Sequence, residues 1–245
     1  MEVNGYKIEP GANLSNADLA EADLEFANLT NAKLIGTELF RVNLSNANLS
    51  GAELGGANLA EAKLFGAYLT GANLVRSKLN DANLTGANIS DADLTEADLT
   101  EANLTDADLS HAVLVNANMR GVKLTKANLK NANLNGAILT NNPNRYYFNH
   151  ELFEGIGGSD HENDKAFDEL QAQREELAKN PAWGRADLRN ANLTGASLLK
   201  ANLGNADLTG ANLTGANLTG ANLSGADLTD ANLTGATMPD RTILD

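Results

Sequence analysis

Leucine returns at every fifth residue. From Leu14 to Leu139 only Ile89 and Met119 depart from this, giving 26 consecutive repeats. A second run of 11 repeats extends from Leu188 to Met238. Two residues before each of these positions stands a small side chain, nearly always Ala; the exceptions are Thr37, Val42, Ser77 and Val122. A five-residue period suits neither regular element. On an α-helix five residues turn about 500°, so the leucines would spread around every side. On a strand an odd step sends successive side chains to opposite faces. Burying these leucines together requires a backbone whose own geometry repeats every five residues, with Leu and the small residue pointing inward. A coil with short straight sides and a turn at each corner meets that requirement. The frequent Gly, Asn and Asp between the leucines suit the turns. Stacked coils would share backbone hydrogen bonds at a spacing of about 4.8 Å.

Composition agrees with a thin, evenly filled interior. Hydrophobic residues make up 42% of the 245 positions, yet aromatics only 4%. There is no cysteine, which excludes disulfides, thiolate metal sites and cysteine nucleophiles. No secretory leader and no membrane-length apolar run is evident, so a cytoplasmic protein is expected. The formal net charge of −14 disfavours nucleic-acid backbones and anionic membranes as partners. It suits a basic protein partner, or imitation of a nucleic acid.

The pattern Ala-Asn/Asp-Leu-x-x, as in Ala17-Asp18-Leu19 and Ala211-Asn212-Leu213, closely resembles the pentapeptide-repeat family. The resemblance implies an all-β fold: a right-handed quadrilateral parallel β-helix with four repeats per coil. The 37 repeats then give about nine coils, a rod roughly 45 Å long. The ending, Gly235 to Asp240, is similar to that of cyanobacterial members. The expected organisation is an N-terminal cap over 1–11, a first solenoid block over 12–140, a non-repeat insertion over 141–185, a second block over 186–238 stacked on the first, and a tail over 239–245. Tyr6 and Ile8 are the expected lid at one end, Ile243 and Leu244 at the other.

The insertion concentrates what the repeats lack. It holds Tyr146, Tyr147, Phe148, Phe153, Phe167 and Trp183, and its spacing predicts a helix near 162–179, closed by Asn180-Pro181. These aromatics either pack on the side of the rod or carry a partner contact, since loops on a rigid scaffold commonly hold function.

Catalytic chemistry finds little material. His111, His150 and His161 belong to no metal or nucleophile motif, and Gly155 to Gly158 lacks the lysine and preceding strand of a phosphate loop. No enzyme activity, catalytic residue, metal or cofactor is expected. The acidic surface is the stronger lead. Eight acidic residues and no Lys or Arg lie between Lys78 and Arg120. At 20 residues per coil, Glu96 falls over Arg76, Asp106 under Lys126 and Asp91 under His111. Glu61, Asp81 and Glu101 form a like-charged column, either a solvated face or a binding one. Ile35, Phe40, Phe65 and Val75 take the outward position after the core Leu, where an apolar patch would result. Two functions follow. One is a protein-interaction scaffold or regulator whose specificity lies in Tyr146, Tyr147, Phe148, Phe153 and Trp183 of the insertion. The other is an acidic DNA mimic, as the resemblance implies for members acting on type II topoisomerases, with Glu61, Asp81 and Glu101 on its working face. Either state, monomer or end-to-end dimer, suits a rod.

Overall fold

In the computed structural model, residues 1–139 and 185–244 are described. The solenoid is built from single-residue parallel bridges, each joining residues one coil apart. Four ladders run along it. The first face passes through Asn13, Lys33 and Glu53, the second through Asp18, Glu38 and Asn58, the third through Asp23, Asn43 and Lys63, the fourth through Asn28, Asn48 and Tyr68. The anticipated straight sides are therefore one bridging residue long, and the rest of each repeat is turn.

One repeat shows why the motif has its form. Ala211 N–H donates to Leu208 O at 2.9 Å, closing a turn, and Asn212 N–H donates to Ala191 O in the coil before. Leu213 and Gly215 N–H donate to Asn232 O and Thr234 O in the coil after. Thr214 N–H donates to the Asn212 side chain, which also accepts the Thr214 hydroxyl at 2.6 Å. All five donors are satisfied, four by backbone and one by the Asn or Asp before the leucine. That residue is a structural acceptor. The turn also demands positive φ at its third residue, as type II turns do. Gly215 has φ 65° and Asn16, Glu21, Phe26 and Arg41 lie between 53° and 59°.

Leu and the small residue of nearly every repeat are buried, in one continuous core. Where Thr37 and Ser77 replace Ala, their hydroxyls donate to Leu14 O and Leu74 O at 2.8 Å, so the interior carries no unpaired polar atom there. At the N-terminal end a hairpin of β1 (Glu2–Val3) and β2 (Tyr6–Lys7) turns at Asn4-Gly5, both with positive φ. Ile8 is buried and Val3 and Tyr6 pack on the core, as a lid should. The other end is closed differently. Thr237 and Ile243 form an antiparallel bridge, but Ile243 is 68% exposed and only Leu244 turns partly inward. Leu223, Leu228 and Leu233 of the last coil are half-buried.

The ladders cross the insertion without a break. Lys123 bridges Asp187, Asn128 bridges Asn192, Asn133 bridges Ser197 and Ile138 bridges Asn202. Asp187 stands to Lys123 as Asn43 does to Asp23, so Arg185, two residues earlier, takes the corner place one coil beyond Gly121. The helix anticipated near 162–179 lies outside the described residues.

Candidate functional site at the root of the insertion

The edge between the second and third faces gathers the features that depart from monotony. Its corner positions are Glu21, Arg41, Glu61, Asp81, Glu101, Gly121, Arg185, Asn205 and Gly225, following the 20-residue register of the ladders. Leu139 on one side and Arg185 on the other bring both ends of the intervening segment to this edge. Tyr146, Tyr147, Phe148, Phe153 and Trp183 lie within that segment, outside the described residues.

The expected acidic column is only partly like-charged. Arg41 Nε donates to Glu61 Oε2 at 2.8 Å and its guanidinium stacks over Phe40, 4.7 Å from the ring centre. Arg41 precedes Glu61 by one coil, so the spacing rule that pairs Arg76 with Glu96 also signals this pair; the latter forms at 2.7 Å. Asp81 and Glu101 keep their mutual repulsion. Burial, then Asp81, pushes the Glu101 carboxyl above the usual carboxylate range, and Lys123 opposes the shift. Glu101 reaches this position because its neighbour along the edge is glycine: the carboxylate occupies the space that a Cβ on Gly121 would take. Two other anticipated pairs do not form. Neither Asp106 with Lys126 nor Asp91 with His111 makes an ion pair among the described residues. A shared column fixes backbone spacing and leaves long exposed side chains free to stay hydrated.

Above Gly121 the edge becomes a shallow recess lined by Glu101, Lys123, Arg185, Asp187, Arg189 and Asp207. Arg189 clamps Asp187 at 2.7 Å, and Thr125 donates to the same carboxylate at 2.8 Å. Burial raises the Asp187 carboxyl, but the bonds from Arg189 and Thr125 outweigh it and hold the group below its ordinary range. Arg185 lies 3.8 Å from Asp207 and 3.9 Å from Asp227, and its buried Nε has no hydrogen-bond partner among the described residues. Acids and bases alternate, so the recess has no net preference for an anion. Asp187, Asp207 and Asp227 stack on the third face, an acidic column absent from the sequence reading because it starts only where the repeat resumes. Among the described residues no group of acids and histidines is arranged to hold a metal, and no helix is long and apolar enough to cross a membrane.

The anticipated apolar patch is dispersed. Ile35 and Val75 share the edge between the first and second faces, Phe40 lies on the next edge and Phe65 on the one after. A five-residue step moves a side chain to a new face; only a 20-residue step keeps it in place.

A family model described as pentapeptide repeats matches residues 11–46, 43–81, 62–101, 102–141, 182–210 and 206–239. Nothing among curated proteins matches the chain. Among solved structures, HetL, a pentapeptide-repeat protein involved in heterocyst differentiation regulation from the cyanobacterium Nostoc sp. strain PCC 7120, is 30% identical. That match covers 99% of each chain, with a TM-score of 0.47. QnrB1, a plasmid-mediated fluoroquinolone resistance protein, is 15% identical over 84% of this chain and 81% of its own, with a TM-score of 0.49. Rfr23, a pentapeptide-repeat protein from the cyanobacterium Cyanothece 51142, is 34% identical over 47% of this chain and 60% of its own, with a TM-score of 0.19. With its family match spanning both runs of repeats, the chain belongs to the pentapeptide-repeat family.

Proposed function

We propose that this protein is a non-catalytic interaction scaffold: a right-handed quadrilateral β-helix of about nine coils whose insertion reads a protein partner. The observation that carries this is the uninterrupted register of all four ladders across residues 140–184. The ladders keep their register across the graft, so the rungs do not need it, which supports a role outside the ladder itself. The rod holds both ends of the graft at one edge, beside a recess of mixed charge that suits polar protein contacts better than a small anion.

Removing 141–184 joins Thr140 to Arg185 and yields Leu139-Thr140-Arg185-Ala186-Asp187-Leu188, an unbroken repeat. That variant should melt as the full chain does. Affinity capture from host lysate should then yield a partner with the full chain and lose it with the deletion. Capture of the same partner by both would transfer the activity to the rod itself.

A second reading, the DNA mimic, is favoured by one observation: Asp81 and Glu101 lie on the same edge without an ion pair among the described residues, near enough for Asp81 to raise the Glu101 carboxyl. It requires that the native protein alter gyrase supercoiling and that Asp81→Asn with Glu101→Gln weaken the effect. An inert native protein ends that reading.

A further inference from the structure

Of the three exposed aromatic side chains among the described residues, Phe26 and Phe65 lie on the edge between the third and fourth faces and Tyr68 on the fourth face next to it. Phe26 is 70% exposed, Phe65 51% and Tyr68 53%. Each breaks the rule of its column. Along the fourth face the bridging residue is Asn or Asp at 28, 48, 88, 108, 128, 192, 212 and 232, and Tyr only at 68. Phe65 stands where Ser45, Thr85, Thr105 and Thr125 stand in other coils. Phe26 holds a corner with φ 59° that Asn46, Gly66 and Gly86 hold above it.

Two of the departures have a local cost. A bulky residue with positive φ is strained. Tyr68 has no oxygen placed to accept Thr70 N–H, the bond that Asn88 makes with Ser90 N–H at 3.1 Å. Three exceptions within three coils, two of them costly and none adding to the core, point to a surface kept for contact.

We propose that Phe26, Phe65 and Tyr68 form a docking surface for a basic amphipathic helix of a protein partner. Phe26 and Phe65 belong to coils two steps apart, about 10 Å along the rod, with the smaller Ser45 and Asn46 in the coil between. An apolar anchor of the partner would sit over Ser45 and Asn46, between the two rings. The basic character follows from the surrounding charge. Asp23 and Glu25 flank Phe26 on the third face and its edge, and Lys63 is the cation beside Phe65. The chain as a whole bears −14, and the rod outside 141–184 carries 23 acidic against 14 basic residues, which steers cations toward it. A helix is indicated over an added strand because the backbone N–H groups along the rod are already donated between coils. Recognition there has to come from side chains.

The inference rests on the scaffold reading only in needing a protein partner, and it fails separately from it. The probe is an 18-residue helical peptide with Leu on one face and Lys on the other, titrated against the full chain by fluorescence anisotropy. A twin with Glu for Lys is the comparison. Replacing the exceptions by the usual residues of their columns, Phe26→Asn, Phe65→Thr and Tyr68→Asn together, should weaken the Lys peptide at least tenfold. The same variant should raise the melting temperature, so lost binding would not reflect lost fold. The Glu peptide should bind at least tenfold more weakly than the Lys peptide, and deletion of 141–184 should leave Lys-peptide binding intact. Binding of the triple variant within twofold of native, equal binding of the two peptides, or loss on deleting 141–184 would each overturn the proposal. A negative peptide result beside a partner captured through the insertion removes this surface and leaves the scaffold reading standing.

Discussion

The two runs of repeats meet the same corner requirement with different residues. Every corner needs positive φ. After the insertion Gly supplies it at 195, 210, 215, 220, 225 and 235, with Asn190, Lys200, Asn205 and Asp230 as the exceptions. Before the insertion the corners include Glu21, Phe26, Arg41, Glu61, Arg76, Glu96, Glu101, His111 and Lys126. The second run lies close to the least strained solution, whereas the first accepts strain to display charge and aromatic surface. The contrast locates individuality in the first run and at the edge where the segment 140–184 is rooted.

The largest effects should come from the shared interior, and they should differ by position. Leu104 is fully buried in the middle of the rod, while Leu228 in the last coil is half-exposed. Leu104→Ala should cost about 2–5 kcal/mol in urea unfolding. Leu228→Ala should cost clearly less, because part of its side chain already meets water. Equal losses would mean that the last coil is covered in solution as fully as the middle.

Corner glycines should respond next. At Gly215, φ is 65° and no atom lies within 4 Å of where a Cβ would stand, so Gly215→Ala isolates backbone strain. It should cost about 1–2 kcal/mol. Gly121→Ala carries the same strain and must also displace the Glu101 carboxylate. A flexible side chain can move aside, so the two losses should be similar. What should differ is Glu101 itself: once displaced into solvent, its carboxyl should titrate nearer the ordinary range, as carbon-detected NMR would show.

Smaller still is the acceptor before each leucine. Asn212→Ala removes the partner of Thr214 N–H and of its hydroxyl, for about 1 kcal/mol. Asn212→Asp should restore the loss, since a carboxylate accepts both bonds. In the first run the reverse experiment is available at Lys78, which offers Asn80 N–H no acceptor; Lys78→Asn should stabilise. Loss in one run and gain in the other would establish the acceptor as a general part of the repeat.

The interior of this rod is legible in its sequence because the leucine period admits so few backbones. The acceptor role of Asn212 and its equivalents is not, since it depends on a turn geometry that the spacing only suggests. Charge columns are half legible. The register places Arg41 under Glu61 as surely as Arg76 under Glu96, yet it cannot say that Lys126 will ignore Asp106, because register fixes where the backbone is and not where a long side chain points. Ile35, Phe40, Phe65 and Val75 look alike in the sequence, and their distribution over three edges emerges only from following single columns. The same tracing puts Phe26 and Phe65 on one edge and Tyr68 on the face beside it, although they occupy three different places within the repeat.

The smallest effect is also the most diagnostic of the candidate site. Glu101 and Asp187 line one recess, with opposite shifts. Glu101 binds a proton more readily in the folded chain than in the unfolded one. Its charge therefore opposes folding at neutral pH, and stability should rise as pH falls through its raised folded value. Asp187 behaves conversely. Its lowered carboxyl contributes stability that is present above the unfolded value and lost as pH falls through the folded one. Glu101→Gln should leave neutral-pH stability equal or slightly higher and flatten the weakly acid limb of the pH profile. Asp187→Asn should lower neutral-pH stability and remove a loss at stronger acid. If Glu101→Gln destabilises at neutral pH, the carboxylate is matched to a cation that offsets its burial, and the recess would then be an occupied contact rather than an open one.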